Sequence, residues 1–187
     1  NPQAHGYQSY QGIPELRSSI ANFYAREYGV SLDPNREILP MMGSKEGIMH
    51  LSMTFLNPGD EVLIPNPGYP TYTSVTNLLG AKPLYYGIDL TKSGRPNLEE
   101  LESQDLSKVK LMWINYPHMP TGAAGSREIL QELVAFAKKH EIVLLHDNPY
   151  SHILTKEPMS ILSIPGAKEV AMELNSLSKA FNMPGWR

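Results

Sequence analysis

Residues 110–115 read Lys-Leu-Met-Trp-Ile-Asn, and residues 142–145 read Ile-Val-Leu-Leu. Both runs are short and apolar without alternation, which is the pattern of a strand buried on both faces. Turn-forming residues follow each: Tyr116 to Gly122 after the first, His146 to Tyr150 after the second. Between the runs Ser126 stands where a helix cap belongs. Ile129, Leu130, Leu133, Val134 and Phe136 then fall on one face, and Lys138-Lys139-His140 place positive charge at the closing end. Buried strand, amphipathic helix, buried strand is the repeating unit of a parallel sheet.

The same alternation extends in both directions. Towards the amino end, Glu61 to Ile64 and Lys82 to Ile88 read as strands, with a helix over Thr71 to Leu79 between them. A helix opens at Gly43 to Gly47 and runs to about Leu56, and another runs from Pro14 to about Tyr28, where Gly29 ends it. Ile38 to Met42 reads as a short strand, Asn97 to Glu102 as a short helix, and residues 1–12 as loop. Towards the carboxyl end, Val170 to Leu174 is a further strand, and Ser176 to Arg187 follows it. The fold class is α/β, a three-layer sandwich with a mostly parallel central sheet.

Composition narrows the function. The chain has 187 residues, a formal net charge of −3 and no cysteine. The missing cysteine excludes a disulfide framework and a thiolate metal site, and the slight negative charge without a basic block makes nucleic acid and anionic membrane unexpected partners. No unbroken apolar span or leader-like segment appears, so the expected compartment is the cytoplasm. The chain opens at Asn1-Pro2 and stops at Arg187 in mid-motif, and reads as an excerpt of a longer protein. No H-E-x-x-H, G-x-S-x-G, G-x-x-x-x-G-K-[ST] or G-x-G-x-x-G occurs, so zinc hydrolase, serine hydrolase, Walker-loop and nicotinamide readings have no support.

In open parallel sheets ligands sit beyond the carboxyl ends of the strands. Every chemically distinctive segment falls there: 43–47, 65–72, 116–122, 147–150 and 176–179. Lys179 lies just past the last strand with Ser176 and Ser178 before it and Arg187 after it. Hydroxyls and a guanidinium suit a phosphate, and a lysine beside a phosphate suits a covalent bond to a phosphorylated aldehyde. The same residues also suit a surface lysine in a serine-rich turn, and this stretch alone does not choose. Gly43-Ser44-Lys45 is either an anion site at a helix start or a turn with Ser44 as cap. Tyr69 and Tyr72 either stack on a flat ring or pack in the core. Asp147, ending a buried strand, needs a partner: a protonated ring nitrogen or a turn.

Taken in order, these segments resemble the large domain of class I aminotransferases, fold-type I enzymes dependent on pyridoxal 5'-phosphate. The resemblance rests on Tyr7 five residues before Gly12, Leu16-Arg17, Gly43-Ser44-Lys45-Glu46-Gly47, Tyr69-Pro70, Pro120-Thr121-Gly122, Asp147-x-x-Tyr150, and Ser176-x-Ser178-Lys179 with Arg187 eight residues on. It covers essentially the whole chain, 1–187, as a large domain without the small domain that both chain ends build in the family. It implies transamination between an amino acid and a 2-oxo acid. Lys179 would hold the cofactor covalently and then move protons; Asp147 would pair with the pyridine nitrogen. Tyr150 would donate to the ring's phenolic oxygen, and Tyr69 would stack on the ring. Ser44, the amide of Lys45, Ser176, Ser178 and Arg187 would cradle the phosphate. Tyr7 matches a tyrosine that reaches the neighbouring subunit's phosphate, which implies a homodimer. A β-lyase, a cyclopropane amino acid synthase or a ligand-sensing module on the same scaffold are the alternatives.

Two departures carry expectations. The family usually has Asn before Pro-Thr-Gly, whereas this chain has Met119, whose thioether donates no hydrogen bond. The covalent link at Lys179 is expected to keep its proton to a pH about one to two units higher than with Asn there, with His118 or Asn115 as possible substitutes. A spectral titration of Met119→Asn checks this; an unchanged midpoint contradicts it. No residue matches the arginine that binds the substrate α-carboxylate, so these 187 residues alone are expected to hold cofactor weakly and turn over poorly.

Overall fold

The computed structural model describes residues 5–7, 9–153 and 155–186. The chain falls into two compact units, residues 1–42 and 43–187.

The first unit is built on α1, Pro14–Tyr28. Proline at its first turn costs no hydrogen bond, and Gly29 stops it at φ 66°, a left-handed conformation that glycine adopts without strain. Arg17 is only 6 % exposed. Its guanidinium donates to the carbonyls of Gln11 and Gly12 (2.9 and 2.7 Å) and to that of Pro34 (2.9 Å), tying the loop before the helix to the turn after it. The strand expected over Ile38–Met42 does not form: these residues are irregular, and Leu39 and Met42 are exposed. Pro40 interrupts the run and has no N–H to give a ladder, so an apolar pentapeptide there could not pair along its length.

The second unit contains α2 (Ser44–Phe55), β1 (Glu61–Pro65), α3 (Pro70–Leu78), β2 (Lys82–Tyr86), β3 (Ile88–Asp89), β4 (Arg95–Pro96), α4 (Leu98–Glu102), β5 (Val109–Ile114), α5 (Arg127–His140), β6 (Val143–Asp147), β7 (Ala171–Leu174) and α6 (Leu177–Ala180). Five strands form one sheet in the order β2-β1-β5-β6-β7, and every pairing in it is parallel. The strand expected over 82–88 is shorter than that. β2 ends at Tyr86, and after Gly87 the chain joins a separate antiparallel ribbon, β3 with β4. The Asp89 carboxylate accepts from Thr91 N (2.9 Å) and starts the tight turn that reverses the chain there.

Register decides which side chains share a face. Leu63, Met112, Leu144 and Ala171 are aligned across four strands and belong to one core with Ile129, Leu130, Leu133 and Phe136 of α5. Their neighbours, displaced by one residue, point the other way, where Trp113 meets Tyr72 of α3. Helices thus cover both faces, α5 on one and α2 with α3 on the other, which is the expected three-layer α/β arrangement. Ser126 caps α5 by accepting from Ile129 N at 3.2 Å, a contact worth about 1 kcal/mol. Buried strands of this kind leave polar groups only at their ends, and there the chemistry collects.

Candidate active site

The chain leaves β1 towards β2 and leaves β5 in the opposite direction, towards β6. Open α/β sheets take ligands in the crevice at such a reversal, beyond the carboxyl ends of the strands. Residues 66–69 leave β1, 115–122 leave β5 and 148–150 leave β6 at that edge.

Asp147 is the last residue of β6 and is 4 % exposed. Being odd-numbered along the strand, like Leu145, it faces the α3 side. Tyr72, fully buried on α3, lies flat on the Trp113 ring at 4.8 Å and donates its hydroxyl to Asp147 Oδ2 at 2.8 Å. Asp147 Oδ1 is also buried and has no hydrogen-bond partner among the described residues. Burial pushes the Asp147 carboxyl up to about 6; the Tyr72 hydrogen bond and the charge of His146 work against that rise. A buried carboxylate with one oxygen held and the other bare has an unfilled requirement for a donor or cation.

Tyr69 caps α3, half-buried, with its ring edge-on to that of Tyr72 (5.6 Å, 80°). Lys45 Nζ stands 5.8 Å from the Tyr69 ring centre and brings the start of α2 to the same place. Tyr150 is half-buried; burial, then the charges of Asp147 and Tyr69, raise its hydroxyl above the ordinary tyrosine range. Lys45 is thus linked to Asp147 through the rings of Tyr69 and Tyr72, and Tyr150 lies close enough to Asp147 and Tyr69 to feel their charge. Ser44 is the first residue of α2, and Gly43 takes the cap position at φ 100°, so Ser44 is not the helix cap. Ser176 caps α6 by accepting from Ser178 N at 3.2 Å. Lys179 is exposed on α6, five residues past Leu174, and Leu174 is aligned with Asp147 in the β6–β7 register. Tyr7 is fully exposed, in the first unit. Arg187 lies outside the described residues.

Tyr72 was expected to stack on a ligand or pack in the core. It packs, and it also holds the carboxylate, a role that no short motif announces. Tyr72→Phe keeps the Trp113 stack and removes the donor. The Asp147 carboxyl is then expected to titrate at a pH above that of the parent, by NMR of the labelled carboxyl, and affinity for a cationic ring to fall about tenfold. Unchanged values would show the hydrogen bond to be idle. The Asn115 side chain is already engaged with the backbone of the neighbouring strand end and of Met119. Its Nδ2 donates to the Asp147 carbonyl (2.7 Å), and its Oδ1 accepts from Met119 N (2.6 Å). His118 Nδ1 is paired with Thr121 Oγ1 at 2.8 Å, and burial lowers that imidazole's proton affinity.

The family model for aminotransferases of class I and II matches residues 1–187. The chain belongs to that family. It is 44 % identical, over its full length, to the LL-diaminopimelate aminotransferase of Dehalococcoides mccartyi, of which it covers 49 %. The corresponding enzyme of Aquifex aeolicus is 43 % identical over the same span. Among solved structures, substrate-bound BacF from Bacillus subtilis superimposes with a TM-score of 0.95 at 42 % identity, over all of this chain and 48 % of that one. A probable N-succinyldiaminopimelate aminotransferase from Thermus thermophilus gives 0.92 at 34 % identity. The chain spans about half the length of the relatives it matches.

Members of the aminotransferase family depend on pyridoxal 5'-phosphate. The residues present fit that group. Its ring nitrogen, when protonated, is the cationic donor that the bare and buried Asp147 Oδ1 requires. Among the described residues there is no cluster able to hold a metal ion, and no helix long and apolar enough to cross a membrane.

Proposed function

We propose that the protein carrying this chain transfers an amino group between an amino acid and a 2-oxo acid, using pyridoxal phosphate held by Lys179. The observation that carries the reading is Asp147, with Tyr72 on one oxygen and nothing on the other, at the crevice of a parallel sheet. When bound, the cofactor supplies an electron sink that no side chain can offer. The protein does the rest. Asp147 keeps a proton on the ring nitrogen by pairing with it. Tyr69 covers one ring face, and Tyr150 donates its hydroxyl to the phenolic oxygen. Ser44, the amide of Lys45, Ser176, Ser178 and Arg187 hold the phosphate. Lys179 Nζ would hold the cofactor and serve as the base that takes the substrate α-proton, a role worth roughly 10²–10⁴ in rate.

Met119 donates nothing to the phenolic oxygen and the Asn115 side chain is bonded to the Asp147 carbonyl and to Met119 N, which leaves Tyr150 and the buried, unpartnered Nε2 of His118 as donors to it; the upward shift at the Lys179 link follows where Tyr150 acts without His118. The enzyme is a cytoplasmic homodimer in this reading, with Tyr7 reaching the neighbouring subunit's phosphate. The names of the relatives make LL-diaminopimelate the first donor to try. The test is an absorption spectrum of the full chain with pyridoxal phosphate before and after borohydride, followed by mapping of the labelled lysine. Product analysis with and without a 2-oxo acid acceptor completes it. Keto acid in excess of the enzyme only when an acceptor is present supports transamination; keto acid in such excess without one points to a lyase, and no labelled lysine overturns the cofactor reading.

A further inference from the structure

On the β5 side, the register of β6 stops one residue short of Asp147: Ile114 is aligned with His146, and the pairing ends there. On the other side Asp147 is still aligned with Leu174 of β7. Asp147 therefore closes its strand with an aligned neighbour on one flank only, and a buried carbonyl there needs a donor. Asn115 supplies it. This residue follows β5 directly, is 3 % exposed, and donates Nδ2 to the Asp147 carbonyl at 2.7 Å. Its Oδ1 accepts from Met119 N at 2.6 Å. The orientation of the amide is forced, because a carbonyl only accepts and a backbone N–H only donates. One side chain thus continues the sheet where its ladder has stopped, and clamps the loop after β5 to the end of β6. That loop is itself closed, with His118 N donating to the Ala123 carbonyl at 2.8 Å and Gly122 N to the His118 carbonyl at 2.7 Å.

Asp147 is consequently set from three directions. β7 holds its strand, Asn115 holds its main-chain carbonyl, and Tyr72 of α3 donates to its Oδ2. Oδ1 is the atom left over. We propose that Asn115 is a positioning residue, whose amide fixes the main chain of Asp147 so that the bare Oδ1 stands where a cationic ring nitrogen is received. This rests on the reading of Asp147 as the partner of a cofactor nitrogen. The bond goes to the main chain and not to the carboxylate, so Asn115 acts on where the side chain starts and leaves its charge alone. Placement matters because a charge-assisted hydrogen bond weakens steeply as donor and acceptor fall out of line. An apolar residue at 115 would fill the space, but would leave the Asp147 carbonyl and Met119 N without partners.

The experiment compares two ligands on the full chain: pyridoxal phosphate, and its analogue with carbon in place of the ring nitrogen. Only the first can pair with Asp147, so the ratio of the two affinities reports on that contact. The parent protein is expected to favour pyridoxal phosphate. Asn115→Leu keeps roughly the volume and loses both hydrogen bonds. In it the ratio is expected to fall about tenfold, while affinity for the carbon analogue changes by less than about threefold. An unchanged ratio overturns the proposal. So does an equal loss for both ligands, which is what a merely structural asparagine would give. If denaturation shows that Asn115→Leu does not fold, Asn115→Ser takes its place, since serine leaves room for water to serve both backbone groups. Its ratio must fall as well, by about threefold or more, and an unmoved ratio overturns the proposal. A parent protein that binds both ligands equally removes the reading of Asp147 itself, and that result is in hand before any variant is made.

Discussion

Lys179→Ala is expected to abolish covalent retention of pyridoxal phosphate and to lower turnover by about 10⁴-fold or more, while leaving the fold intact. The separation follows from where the residue sits. Lys179 is exposed on a four-residue helix and is part of no buried core, so its truncation should change stability by roughly 0.5 kcal/mol or less. The residue nonetheless lies five positions past Leu174 of β7, and Leu174 is aligned with Asp147 at the end of β6. Losing both the covalent attachment and the proton carrier removes two catalytic devices at once. Lys45 makes the comparison sharp, because its amine stands 5.8 Å from the Tyr69 ring centre. Lys45→Ala should keep the borohydride-fixed adduct and weaken phosphate affinity only modestly. Should the adduct survive in Lys179→Ala and vanish in Lys45→Ala, the roles of the two lysines are reversed and the site must be rebuilt around α2. Denaturation midpoints of both variants, set against the parent, show that neither effect is unfolding.

The sheet was legible because burial on both faces leaves unbroken apolar runs within β5 (Leu111 to Ile114) and β6 (Val143 to Leu145), and Ser126 marks the start of the helix between them. The failures lie where a local pattern had no partner. Ile38–Met42 has the apolar content of a strand, but Pro40 denies it a ladder, and pairing is not a property of one segment. Residues 82–88 looked continuous because Ile88 prolongs the apolar run, whereas Gly87 and the Asp89 turn send it into a second ribbon. Within the site, Asp147, Tyr150, Tyr69 and Lys45 could be picked out because each is chemically distinctive and follows a strand or opens a helix. The roles of Tyr72 and Asn115 could not. They come from contacts across 75 residues of chain for Tyr72 with Asp147, and 32 for Asn115 with Asp147, distances over which only the folded register speaks.

Asp147→Asn should make the cofactor-free protein more stable above neutral pH and make the enzyme far worse. The sign comes from linkage. In the folded protein the Asp147 carboxyl is pushed up to about 6 from the ordinary 3.8. Between those values the folded state holds the proton more tightly than the unfolded state, so the stability this group contributes is full below about 3.8. It is lost as pH rises through about 6. Some two units correspond to about 3 kcal/mol of cost for the ionised form above that window. Asparagine never ionises, so the variant avoids this cost, but it places an amide donor in the buried gap that Oδ1 faces. A net gain of roughly 1–2 kcal/mol at pH 8 is therefore expected, shrinking to nothing or reversing near pH 4. Denaturant melts of cofactor-free parent and variant at the two pH values read this directly. Pyridoxal phosphate reverses the ranking: a cationic ring nitrogen on Oδ1 repays the buried charge, and removing a charge-assisted hydrogen bond of about 1.5–3 kcal/mol should weaken binding roughly 10- to 150-fold. A variant less stable than its parent at pH 8 would mean that Asp147 is already compensated in the empty protein. The bare oxygen would then be no mark of a cofactor site.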